Sequence, residues 1–354
     1  MKISTTAATA IVVALAAGQM AQADNLRLLT WGGYAPEDVV ELFEAETGHT
    51  VEVTPSNNEE MIAKLRATGG GGFDLAQPSQ DRIAGPQAEF GIYKPIDLSQ
   101  IDGGQFIASM LSATQENTTV DGEVYGVPHV WGTSGLVVDT EIAGAVADYT
   151  DLCSEEFSGR VSYRLRRPTL IGFAFSMGLD PFAAYGDEAA YTEIMGKVEQ
   201  KLIDCKPNVK TYWGGGDELM NLIRSGEVVA SMAWDTGGWK LNSEMENVTF
   251  VAPASGALGW IDTFVLPARG QSDEAAYAWI NFVMRPEIAA MITAQAGNFT
   301  ASQGADAFAS DELKARYQAS FPQEAIDNIR WYPPVPAGLE AIEGSVLDRV
   351  NAAN

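Results

Sequence analysis

Positive charge is what this chain has least of. Only 22 lysines and arginines stand against 47 aspartates and glutamates in 354 residues, a formal net charge of −25. A surface of that sign repels phosphate backbones, so nucleic acid is not expected as a partner. Histidine is scarcer still. His49 and His129 are the only two, far apart in the sequence and in no metal-ligand spacing. The glycine run at 69–72 lacks the Gly-Lys-Ser/Thr ending of a phosphate loop. The Gly-Thr-Ser-Gly-Leu stretch at 132–136 has the wrong spacing for a nucleophile elbow. No cofactor and no metal are expected, and nothing in the pattern asks for an enzyme.

Long apolar runs are also missing, with one short exception at the start. Lys2 precedes an apolar stretch from Ala7 to Ala17, and Ala21-Gln22-Ala23 has the A-x-A form of a cleavage site. That stretch is too short to span a bilayer, which takes about 20 apolar residues. Residues 1–23 therefore read as a cleaved signal peptide, with the mature chain starting at Asp24. No cysteine follows the cleavage site, so a lipoprotein is not expected. The mature protein is read as exported and not membrane-embedded.

Cysteine occurs twice, at Cys153 and Cys205. An even count in an oxidising compartment favours a disulfide over two free buried thiols. A crosslink closing that loop is worth about 4 kcal/mol when unstrained.

What is present is an alternation of strands and helices. Residues 26–31 (LRLLTW) read as a buried strand. Residues 36–48 read as a helix, with Pro36 in its first turn and Gly48 past its end. A second strand follows at 49–55, a second helix at 57–69 and a third strand at 73–79. Such repetition predicts an α/β fold, a mostly parallel sheet flanked by helices. The length suggests two lobes.

In sheets of that kind ligands bind beyond the carboxyl ends of the strands. Five loops qualify: Trp31-Gly32-Gly33-Tyr34, Pro78-Ser79-Gln80-Asp81, Pro128-His129-Val130-Trp131, Ala233-Trp234-Asp235 and Gly259-Trp260-Ile261-Asp262. Any one of these tryptophans reads equally well as a core anchor. Four at strand ends, each near glycine or aspartate, point to a pocket of indole faces and carboxylates suited to an organic cation.

At these residues the chain resembles the periplasmic spermidine/putrescine-binding proteins of ABC importers. The stretches that carry the likeness are LTWGGYAPEDVVELFEAETGHTVEV, EEMIAKLRA, FDLAQPS, YGVPHVWGTSGLVVD, GEVVASMAWD and GWIDTFVLPARGQSDEAAYAWINFV. The resemblance implies a two-lobed periplasmic-binding-protein (Venus flytrap) fold of type II, a periplasmic location and a monomer. It also implies a small-molecule amine as ligand and an inner-membrane ABC permease complex as partner. Crossovers are expected near Gly132–Gly135 and Ala257–Ile261. They would divide the chain into lobe 1 (24–133 plus 261–305) and lobe 2 (134–260 plus 306–354).

Residue by residue, Trp31 and Tyr34 match the family's first aromatic loop, and Ser79 matches a ligand-contacting serine. Trp234 and Trp260 match aromatics that sandwich the polyamine, and Asp262 the carboxylate that holds an ammonium. Trp131 belongs to the same set of candidates. The chain departs from the pattern at Gly33, where the family carries an acid. It departs at Asp81, where the family carries an aromatic and where a replacement carboxylate is expected. Asp235 is a further candidate carboxylate.

The largest departure is RVSYRLRRPTL at 160–170, which places Arg166 and Arg167 on the family's acidic cluster. Alternation there reads as a half-exposed strand, with Arg160 and Arg164 on the surface. Arg166 and Arg167, ahead of Pro168 at a helix start, read instead as an anion site. Two ligand classes follow: a polyamine with the arginines turned outward, or a zwitterionic amine whose anion lies on Arg166 and Arg167. The zwitterions considered are an amino acid derivative, an opine-like conjugate and an aminophosphonate. An exported enzyme on the same two-lobed fold is the alternative from another class.

Overall fold

The computed structural model describes residues 23–353, so all of the signal segment but its last residue lies outside the described residues. The first strand, β1 (Asn25–Thr30), is central in a parallel sheet with β2 (Thr50–Pro55) and β3 (Leu75–Ala76). It is apolar on both faces for that reason. Leu26 and Leu28 enter one core, and Leu29 enters another on the opposite side. Between the strands run α1 (Glu37–Thr47) and α2 (Asn58–Thr68). Helix α1 begins after Pro36, with Glu37 and Asp38 in its first turn, and α2 is capped by the Asn57 side chain. Each ends where a glycine takes the left-handed conformation, Gly48 at φ 79° and Gly69 at φ 60°. Strand β3 is shorter than the 73–79 expected. Pro78 has no N–H to extend the ladder, and the chain turns into a 3₁₀ segment at Gln80–Arg82.

A long strand, β4 (Val127–Asp139), then leaves this lobe for the second. Val127 and Val130 pack in the core around Leu26 and Trp279, while Leu136 and Val138 pack in the core around Tyr149 and Tyr163. In the second lobe come β5 (Val161–Tyr163), α3 (Arg167–Ser176), α4 (Glu188–Asp204) and β6 (Val209–Tyr212). They are followed by α5 (Gly216–Arg224), β7 (Ala230–Trp234), α6 (Asp235–Glu244) and β8 (Val248–Val251). The chain returns on β9 (Leu258–Phe264), antiparallel to β4, with Trp260 opposite Gly132. Only glycine fits there, because a Cβ on Gly132 would lie 2.6 Å from the Trp260 ring.

Helices α7 (Asp273–Val283) and α8 (Pro286–Ala296) then complete the first lobe. A short strand, β10 (Phe299–Thr300), pairs with β4. The last part, α9 (Asp311–Ser320), β11 (Arg330–Trp331) and α10 (Leu339–Ala352), packs against the second lobe. The main sheet runs β11-β9-β4-β7-β5-β6, with β8 and β10 both joined to β4. The architecture is the two-lobed α/β type, with two strands shared between lobes.

Strand β5 corrects an expectation. It lies between β7 and β6, so all three of its residues are buried and neither face meets solvent. Ser162 satisfies its hydroxyl on the Thr211 carbonyl at 2.7 Å. Cys153 and Cys205 form a disulfide, with Cα atoms 4.7 Å apart. It joins the 3₁₀ turn Tyr149–Cys153 to the end of α4. Among the described residues no helix is long and apolar enough to cross a membrane.

Candidate functional site

Between the lobes lies a cleft of about 660 Å³. The loops after β1, β3, β5, β7 and the middle of β9 all open onto it. Nine of the eleven residues singled out in the sequence line it: Trp31, Tyr34, Ser79, Asp81, Arg166, Arg167, Trp234, Trp260 and Asp262.

Asp262 is the best-organised of them. It sits where β9 loses register against β4, and it forms an isolated bridge with Ser79. The Ser79 hydroxyl donates to Asp262 Oδ1 at 2.6 Å and the Tyr34 hydroxyl donates to Oδ2 at 2.7 Å. Ser79 is itself positioned by Asn58, which receives the Ser79 N–H and donates to its Oγ, both at 2.9 Å. The carboxyl is only 3% exposed. Burial pushes it up to about 7, while the two hydroxyls pull the other way. A cation arriving beside it would restore full ionisation.

Aromatic walls flank this acid. Trp31 is held by an Nε1 hydrogen bond of 2.8 Å to the Gln77 carbonyl. Trp260 packs against the cores of both lobes, and its buried Nε1 has no partner among the described residues. Tyr34 meets His129 edge-on at 5.5 Å. Across the cleft Trp234 meets Trp213 edge-on at 5.2 Å.

The remaining charged candidates are already engaged. Asp81 is not a free ammonium partner, because it binds Arg167 Nη1 at 2.9 Å. Arg167 is not a free anion hook either. Its Nε reaches Glu343 at 3.0 Å, it bonds the Tyr185 hydroxyl, and its guanidinium lies 4.9 Å from the centre of the Tyr332 ring. Burial opposes its charge, yet Glu343, Tyr185 and Asp81 together hold it well above the usual arginine value. This cluster joins the lobes, since Asp81 follows β3 while Arg167 and Glu343 lie on α3 and α10. A second pair, Arg82 to Glu340 at 3.3 Å, runs parallel to it.

Two candidates lie outside the cleft lining. Asp235 is buried behind it, and all of its acceptor positions are taken. Oδ2 accepts from the Thr133 N–H (2.8 Å) and hydroxyl (2.9 Å), and Oδ1 from the Thr236 N–H (2.7 Å) and Asn298 Nδ2 (2.9 Å). It ties β4 to α6 and to the segment after α8. Trp131 faces the other side of β4, where its ring stacks on Phe299 at 5.9 Å and meets Tyr317 edge-on at 6.2 Å. Both are parts of the crossover packing.

Arg164 was read as a surface residue, and here too the structure differs. It lines the cleft with its guanidinium 5.2 Å from the Trp234 ring centre and 5.5 Å from that of Trp213. Because β5 is interior, the residue just past it reaches the cleft instead of bulk water. Glu59, Asp217, Lys240, Asn298 and Tyr332 also line the space. None carries a local sequence signal, because each sits in a loop or helix whose relation to the cleft is tertiary.

A family model described as bacterial extracellular solute-binding protein matches residues 38–320. The chain belongs to that family. Its relatives in the solute-binding group include the spermidine/putrescine-binding periplasmic protein of Escherichia coli K12. The two are 27% identical over 349 residues, covering 95% of this chain and 94% of the relative. The putrescine-binding periplasmic protein PotF of the same organism is 24% identical over 86% of this chain and 85% of its own. Among solved structures, a putative spermidine/putrescine ABC transporter protein from Listeria monocytogenes superposes with a TM-score of 0.80. It is 22% identical and covers 93% of this chain and 99% of its own. The solute-binding proteins of this family are components of transporters.

Proposed function

We propose that this chain is the periplasmic receptor of an ABC importer, capturing a small organic amine of the polyamine class between its lobes. The observation that carries the reading is Asp262, a buried carboxylate set in the cleft by two hydroxyl donors and flanked by indoles. An ammonium supplies the cationic partner that Asp262 lacks among the described residues, and a charge-assisted bond there is worth about 1.5–3 kcal/mol. Trp31, Tyr34 and Trp260 supply the faces against which the alkyl chain and ammonium rest.

Capture works by hinge closure. Strands β4 and β9 are the connectors, with lobe 1 as 24–133 plus 261–305 and lobe 2 as 134–260 plus 306–354. A solute touching both lobes favours the closed form by its differential affinity for it. The closed monomer then docks on the inner-membrane permease complex. Export by a cleaved, non-lipidated signal at residues 1–23 belongs to the same reading, as does a purely receptor role without turnover.

Calorimetric titration with putrescine and spermidine tests this. Binding is expected at micromolar concentration, and Asp262→Asn is expected to weaken it about ten- to a hundredfold. Unchanged affinity in Asp262→Asn rules the assignment out. A second reading has its own support. The cleft also holds Arg164 and Arg166 without ion-pair partners among the described residues, which would suit the anionic end of a zwitterionic amine.

A further inference from the structure

The cleft does not share the sign of the protein around it. Across the chain acids outnumber lysines and arginines 47 to 22. Among the cleft-lining residues the balance reverses, with Glu59, Asp81, Asp217 and Asp262 against Arg82, Arg164, Arg166, Arg167 and Lys240. Some of these cancel: Asp81 is consumed by Arg167, and Arg82 leans on Glu340 and Glu59 at 3.3 and 3.8 Å. What is left over is Asp262 and the exposed Asp217 on one side of the ledger, and Arg164, Arg166 and Lys240 on the other.

Those three cations share one feature. Among the described residues none makes a side-chain hydrogen bond or ion pair. For the exposed Arg166 and Lys240, water suffices. For Arg164 it does not, because its Nε is buried and has no partner. A guanidinium carries five N–H donors in its plane, and the two indole rings, nearly perpendicular to each other, lie 5.5 and 5.2 Å from its carbon without accepting from any of them. Burying a cation with its donors unmet is unfavourable unless an acceptor arrives. The carboxylate whose charge reaches Arg164 is Glu59, which leans on Arg82 at 3.8 Å and makes no ion pair with Arg164, so the place beside the Arg164 Nε is left to the solute.

We infer that Arg164, Arg166 and Lys240 form an anion subsite on lobe 2, opposite Asp262, and that the solute is an amine bearing a carboxylate or similar oxyanion. This rests on the reading of Asp262 as the ammonium partner and names the chemistry of the solute's other end. Trp234 and Trp213 flank the Arg164 guanidinium, whose planar pair of donors suits an oxyanion. Arg167, next in sequence to Arg166, takes no part, because its charge is spent on Asp81 and Glu343. A linear diamine would set its second ammonium against an unpaired guanidinium.

The test is calorimetric titration of the full chain with two matched series, ω-amino acids and α,ω-diamines of equal chain length. The best amino acid is expected to bind at least about tenfold more tightly than its matched diamine. The exposed double variant Arg166→Ala/Lys240→Ala is expected to weaken the amino acid by about tenfold and to strengthen the diamine. Arg164→Ala is expected to weaken the amino acid further, and Arg164→Lys to recover part of the loss. If the diamine binds as tightly as the amino acid, or the double variant binds the amino acid unchanged, the anion subsite is wrong. In that case retention of Asp262-dependent diamine binding keeps the amine reading alone. If neither series binds, or Asp262→Asn binds both like the parent, both readings fall together.

Discussion

Arg164 and Arg167 stand three residues apart, on the same strand-to-helix turn, and both reach the cleft. Their surroundings could hardly differ more. Arg167 is held by two carboxylates, a tyrosine hydroxyl and a ring face. Arg164 has two ring faces and, among the described residues, no acceptor. The first is closed internally and fastens one lobe to the other; the second stays open to whatever enters. Charge on a cleft wall therefore says little about binding until its partners have been counted.

Removing each side chain in turn should pull the comparison apart. The largest effect is expected for Arg167→Ala, which strands Asp81 and Glu343 as buried, unpaired acids. Loss of such a partner destabilises by about 3–5 kcal/mol, to be read from urea unfolding. Arg164→Ala is expected to change stability by about 1 kcal/mol, because lost cation–π contact is offset by relief of a desolvated charge. Arg166→Ala is expected to stay within about 0.5 kcal/mol, as for other exposed side chains. A loss in Arg164→Ala as large as that in Arg167→Ala would mean that Arg164 is a structural residue, and the contrast would disappear.

Acidity offers a finer probe of the opposite wall. Asp262 holds its proton up to about pH 7 in the folded chain, against an ordinary value of 3.8. Between those limits the folded state binds more protons than the unfolded one, so this group's contribution to stability falls as pH rises, by about 1.4 kcal/mol per unit at most. Asp235, raised to about 6 by burial, has the same sign over a narrower window. His129, pushed down to about 3 by burial, has the opposite sign between there and its ordinary 6.5. The difference between the parent and Asp262→Asn isolates the first of these. That difference should shrink in the presence of a bound amine, which favours the ionised form. A parent and variant with parallel stability–pH curves would show that Asp262 titrates in the ordinary range.

Residues 24–78 were readable because their signals are local. The capping residues Pro36 and Gly48 set the ends of α1 within a residue of those read from the sequence. The cleft walls were partly readable as well, since strand ends in α/β sheets converge and Trp31, Tyr34 and Ser79 lie at such ends, whereas Trp260 and Asp262, expected in a loop, lie within β9. What failed needed knowledge of partners distant in sequence. Asp81 and Arg167 are 86 positions apart, and Arg167 and Glu343 are 176 apart. No spacing rule links them. Asp235 looked free because Thr133 and Asn298 lie far from it in sequence, and Trp131 because a strand's alternation does not say which face meets the cleft. Arg164 was misplaced for a related reason. Alternating polarity marks a half-exposed strand only if the strand has a solvent face, and β5 has none.

The disulfide has a mechanical consequence. Cys153 and Cys205 both lie in the part of the chain between the outgoing strand β4 and the returning strand β9, and the core they join is that of a single lobe. The covalent staple therefore stiffens one jaw without bridging the gap between jaws. Oxidation and reduction can change how firmly that jaw holds its shape under load, while the two jaws, joined through β4 and β9, swing without this disulfide spanning them.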